Sequence, residues 1–205
     1  MTMGSAKGPK ERPSLRARQK ASVQREIALC ATDLFESQGF HETTVEQITE
    51  TVGVSLRTFY RHCPVKEEAL TPLLTEGVDA LVAELQRRPD DEPLPVAARA
   101  ALTHAAALPD NLTRRVTRVT LAEPALTARW LAAGRRAQDL LIPVVAARLG
   151  RTADDLAAAT TAGLLINVAT TALEYWARHE NAGPLGEVTA EAFTAVADFG
   201  RLPAA

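Results

Sequence analysis

Between Gly39 and Leu70 lies a dense set of cationic and hydroxyl-bearing residues, namely Ser55, Arg57, Thr58, Tyr60, Arg61 and His62, with Leu56 among them. They offer positive charge and hydrogen-bond donors to an anionic surface. Gathered around the outer side of a short helix, they suit phosphates and base edges in the major groove of duplex DNA. Catalytic chemistry has far less to stand on. His41, His62, His104 and His179 are scattered, and Cys30 and Cys63 form no metal-ligand spacing. There is no Gly-rich phosphate loop and no Gly-x-Ser-x-Gly elbow. No catalytic residue, metal site or cofactor is expected, and a helical enzyme is only a remote alternative. Cys63 has two readings, a redox sensor beside the helix or, more simply, a small hydrophobe filling a junction.

The elements that must hold this face are legible in the punctuation around it. Thr43 is placed to cap a helix, with Glu46 completing a capping box three residues on. Val45, Ile48 and Val52 then share one face, and Gly53 ends the helix because a residue without Cβ enters the left-handed region at little cost. Ser55 caps a second helix that turns Phe59 inward and stops at Pro64. Two short helices across a tight turn result.

This segment resembles the DNA-binding domain of TetR-type transcriptional regulators. The resemblance rests on Gly39-Phe40, Thr43-Thr44-Val45, Ile48, Gly53-Val54-Ser55, Thr58-Phe59-Tyr60, His62 and Lys66-Glu67-Glu68, all at the family's spacing. Thr51-Val52 and Cys63 depart from the usual pattern, and the second departure suggests looser packing after the recognition helix. The resemblance implies phosphate contacts for Tyr60, His62 and Lys66, and Thr44 has two compatible roles, helix start and phosphate contact through its hydroxyl. It also implies a three-helix N-terminal domain followed by a larger helical domain that binds a small molecule and dimerises through its last two helices. The expected function is a repressor released from palindromic operator DNA by a mainly apolar effector, with a constitutive DNA-binding dimer as the alternative.

Charge and texture extend the reading to the rest of the chain. The 205 residues carry a net −2, yet residues 1–26 hold seven Lys/Arg against two Glu, so +5 sits there and −7 on the remainder. A basic end on a mildly acidic body points to a polyanion bound at one end. No apolar run is read as approaching the roughly 20 residues that cross a bilayer, so no membrane partner is expected and a reducing, cytoplasmic location follows most simply. Residues 1–15 are expected to form a disordered basic arm, 16–65 the helix-turn-helix domain, and 66–205 the effector-binding and dimerisation domain. Helical spacing recurs throughout and no period-2 strand stands out, which predicts an all-α fold of about nine helices. A second capping box is expected from Thr152 and Asp155, and Pro143 is expected to kink a long seventh helix.

In the larger domain, polar residues interrupt apolar helices. Asn167, Thr170 and Thr171 stand beside Leu164-Leu165-Ile166 and Leu173. Buried polar groups need partners, which a ligand, a dimer contact or local back-bonding of Thr would each supply. With Arg118, Trp130 and Tyr175 they form the candidate effector site. For dimerisation, the small residues around Ala159 and Gly163 (Ala158, Thr161 and Ala162 among them) permit close helix approach. Phe193, Val196 and Phe199 supply an apolar stripe on the last helix.

Overall fold

The computed structural model describes residues 14–107 and 110–199, and the expected basic arm lies almost wholly outside them. Nine α-helices form among the described residues, without a strand. They are α1 (Leu15–Gln38), α2 (Val45–Val52), α3 (Leu56–His62), α4 (Thr71–Arg87), α5 (Leu94–Ala105), α6 (Asp110–Ala122), α7 (Pro124–Leu149), α8 (Leu156–Arg178) and α9 (Leu185–Phe199).

Local chemistry explains most boundaries, with several corrections to the sequence reading. Ser14 caps α1 by accepting from the Ala17 amide, so the helix starts at Leu15, one residue before the boundary expected at residue 16. Thr44, not Thr43, caps α2, and its box partner is Gln47: each side chain bonds the other's backbone amide. Thr43 is buried instead, donating its hydroxyl to the Gly39 carbonyl. Gly53 closes α2 at φ 75°, a left-handed conformation that disfavours other residues. The connecting helix is broken at its start. Lys66–Glu68 is a 3-10 turn, and α4 begins at Thr71 with Pro72 in its first turn, where the missing amide costs nothing. Asp155 alone caps α8, accepting from Ala157 and Ala158. Pro143 lies inside α7 without ending it.

Two large cores result. Ile27, Ala31 and Phe35 of α1 enclose Ile48, Phe59 and Leu70, and Leu126 of α7 enters the same cluster. Leu81 and Leu85 of α4 pack with Ala97, Ala101 and Leu102 of α5, Leu141 and Val145 of α7, and Leu165 and Ile166 of α8. Around Trp176, Leu185 and Val188 join α8 to α9. Contrary to the sequence reading, α8 is long and apolar enough to cross a bilayer by length and composition. Its buried residues (Ala158, Ala162, Leu165, Ile166, Val168, Ala172 and Trp176) pack it into these cores instead.

Beside the apolar contact of Leu126, polar side-chain pairs also join the N-terminal helices to the rest. The Arg115 guanidinium on α6 donates to Glu36 at 2.7 Å and Asp33 at 2.6 Å on α1, and these bonds raise its already high pKa. Arg25 of α1 pairs with Glu76 of α4, His41 with Glu123 at 3.0 Å, and Arg129 of α7 with Glu68 at 3.0 Å.

Candidate nucleic-acid interface and effector cavity

Phe59, fully buried, anchors α3 and so sets which residues face outward. Ser55, Leu56, Arg57, Tyr60 and Arg61 are exposed, while Thr58 and His62 are half-buried. The Ser55 hydroxyl accepts from the Thr58 amide at 3.1 Å and lies 3.0 Å from the Thr58 hydroxyl. Tyr60 sets its ring edge-on to Phe59, centroids 5.5 Å apart, which holds an exposed phenol in a defined direction. Thr44 is exposed at the N-terminal tip of α2, which it caps.

Two candidates sit differently. Lys66 turns inward: its ammonium donates to the Phe40 and Thr43 carbonyls, both at 2.8 Å, and lies 4.1 Å from the Phe40 ring centroid. It braces the turn before α2. His62 has a buried Nδ1 without a hydrogen-bond partner, and its backbone carbonyl accepts from Gln24 of α1 at 3.1 Å. Burial, then the nearby charges of Arg61 and Lys20, holds its imidazole below the ordinary value of 6.5. Cys63 is buried and donates to the Val65 carbonyl at 3.1 Å. Burial, reinforced by Glu68 and Glu67, pushes its thiol up to about 12, so it stays protonated and poorly suited to redox sensing.

A cavity of about 100 Å³ opens inside the helical body. Leu73, Val78 and Leu81 of α4, Leu102 and Ala105 of α5, Leu112 and Val116 of α6, Trp130 of α7, Leu173 of α8 and Leu185 of α9 form an apolar wall. Thr113, Thr117, Thr170 and Thr189 add hydroxyls, and the Arg25–Glu76 pair adds the wall's charges. Of the six candidate effector residues, Trp130 and Thr170 line this space. Asn167, Thr171 and Tyr175 are exposed on the far side of α8, and Thr171 donates to the Asn167 side chain at 3.2 Å. Arg118 is also exposed, donating to the Ala177 carbonyl and to Glu180, so it ties α6 to the end of α8. Arg25 and Glu76 were missed because neither lies on a helix that the sequence marks as pocket-forming.

The dimerisation candidates divide in the same way. Ala158 and Ala162 are fully buried within the chain. Ala159 accepts from Gln138 of α7 at 3.0 Å, and a Cβ at Gly163 would meet that same amide at 3.0 Å. The small residues of α8 thus serve α7. Phe193 is half-buried against the main core, Val196 is exposed, and the Phe199 side chain lies outside the described residues. The open stripe of α8 is Leu156, Thr160, Leu164, Asn167, Thr171 and Tyr175, every third or fourth residue.

Comparison with known proteins bears on both regions. Residues 30–70 match the family model for bacterial regulatory proteins of the tetR family, and residues 91–199 match that of the MftR C-terminal domain. The HTH-type transcriptional regulator TcmR of Streptomyces glaucescens is 35% identical over 154 residues, spanning 70% of this chain and 67% of that protein. The MftR protein of Mycobacterium tuberculosis is 27% identical over 182 residues, spanning 87% and 91%. A solved SmeT–triclosan complex shares the fold with a TM-score of 0.58 at 22% identity, covering 85% of this chain and 91% of that one.

Proposed function

The chain belongs to the tetR family of bacterial regulatory proteins, and from that membership we propose that it is a homodimeric cytoplasmic repressor, released from a palindromic operator by a small, mainly apolar effector. As a family member it is a DNA-binding transcriptional regulator and not an enzyme. The observation that carries the effector reading is the cavity, because its wall reaches from α9 to Arg25 of α1. A molecule seated there touches the helix bundle and the N-terminal domain at once. It thereby gains differential affinity for two arrangements of those parts, which is what coupling requires. The lining favours an apolar body, and SmeT, of similar fold, has been solved with triclosan.

Operator contacts are assigned to Arg57 and Tyr60, with Ser55, Leu56, Thr58, Arg61 and His62 beside them and Thr44 on α2. Pairing of two chains is assigned to the open stripe of α8 with Val196 of α9, since an isologous contact needs an exposed, self-complementary patch. Residues 1–14 are assigned to the phosphates flanking the site.

The test separates the two sides of α8. Thr170→Phe fills the cavity and is expected to abolish release of DNA by an apolar effector while leaving operator affinity unchanged. Asn167→Leu, on the open face, should leave effector affinity as it was. Normal release in Thr170→Phe would place the effector outside this cavity, whereas no release of the wild type by any apolar ligand would favour the constitutive alternative.

A further inference from the structure

Several polar groups in the cavity wall have partners within the protein. Thr117 donates to the Thr113 carbonyl at 2.8 Å, Thr170 to Ile166 at 3.0 Å and Thr189 to Leu185 at 2.8 Å, while Arg25 is paired with Glu76. Trp130 is 5% exposed and lines the cavity, yet its indole N–H donates no hydrogen bond among the described residues. The contrast is Trp176, more deeply buried at 1% exposed, whose Nε1 donates to the Gly183 carbonyl at 2.9 Å. The Trp130 Nε1 is not among the fully buried unpaired atoms, so it keeps accessible surface from which it can donate to a bound molecule.

Resting on the reading of this cavity as the effector site, we propose that the Trp130 indole N–H is the point at which an effector is recognised, and that the effector carries a carbonyl-type oxygen on an apolar body. Thr117, Thr170 and Thr189 have given their hydroxyl protons to helix carbonyls, so a neutral ligand oxygen takes its hydrogen bond from Trp130. A cation finds no unpaired acid in the wall, because Glu76 is held by Arg25. A purely hydrocarbon ligand fits the wall but leaves the indole unsatisfied. The site therefore discriminates by an acceptor atom as well as by shape.

Acetophenone and α-methylstyrene probe this directly, since they differ only in C=O against C=CH2. Calorimetric titration of the full chain should show Trp130→Phe weakening acetophenone about 3- to 10-fold, the range of one neutral hydrogen bond, while α-methylstyrene binds the variant as it binds the wild type. Should that variant fold poorly, the wild type decides the matter by NMR. The Trp130 indole proton should move downfield with acetophenone and not with α-methylstyrene. Both probes bound with equal losses, or with no loss, would overturn the role of Trp130 and leave the cavity standing. Neither probe bound, in a chain that still binds DNA, would overturn the cavity reading with it.

Discussion

Lys66 and His62 illustrate how much a side chain's role depends on what surrounds it. Both types suit a phosphate, and the resemblance implied that role for each. Lys66, however, spends two of its donors on the Phe40 and Thr43 carbonyls. Lys66→Ala should therefore cost about 1.5–3 kcal/mol of stability, the range for charged hydrogen bonds, read as a lowered denaturation midpoint. The salt dependence of DNA binding should stay nearly unchanged. His62 behaves otherwise. Its folded pKa lies below the unfolded one, so stability is present above about 6.5 and declines as the pH falls through that region. A phosphate beside it would favour the imidazolium, so DNA binding should take up a proton and tighten between pH 7 and 5.5. His62→Gln should flatten that profile, and equal slopes in both proteins would remove His62 from the interface. At this scale sequence reading chose residue types well but not directions. Nothing in a linear string says that Lys66 folds back over Phe40, or that Asn167 and Thr171 look away from the space that Thr170 faces.

Elements were more legible than side chains, because caps and breakers act locally. Gly53, Ser55 and Pro64 bound the two short helices as expected, and the shift from Thr43 to Thr44 moved a boundary by one residue without changing the face presented. Harder to see was which side of α8 is inside. It is apolar and Ala-rich nearly all round, so periodicity alone favours no face, and its small residues turned out to approach α7. The exposed side carries Leu156, Leu164 and Tyr175, exposed by 80%, 46% and 52%. Leu164→Asp with Tyr175→Asp should place like charges at two equivalent positions of a two-fold contact and yield monomers by sedimentation. Phe193→Asp is the poorer test, because Phe193 also packs on the chain's own core. An unaltered dimer from the first pair would move the interface elsewhere.

Across the whole molecule, the proposed effector response requires a path from the cavity to α3. The helix α6 has two sides: Leu112, Val116 and Thr117 line the cavity, while Arg115 grips Asp33 and Glu36 of α1. Arg115→Ala should leave effector affinity and effector-free DNA affinity close to wild type yet shrink the coupling between them, from the usual 5- to 150-fold toward unity. Full coupling in that variant would route the response through Arg25 and Glu76 instead. No sequence pattern announces such pairs, since their partners lie 51 to 82 residues apart. The family's overall plan was legible; the wiring between its parts was not.

The most direct measurement is selection of duplexes from a random pool by the full chain, followed by titration at about 150 mM salt. The account predicts a pseudo-palindrome with half-sites about one DNA turn apart, bound at least ~10³-fold more tightly than random sequence, a preference that Arg57→Ala with Tyr60→Ala abolishes while helicity persists. Equal affinity for selected and random duplexes would contradict it.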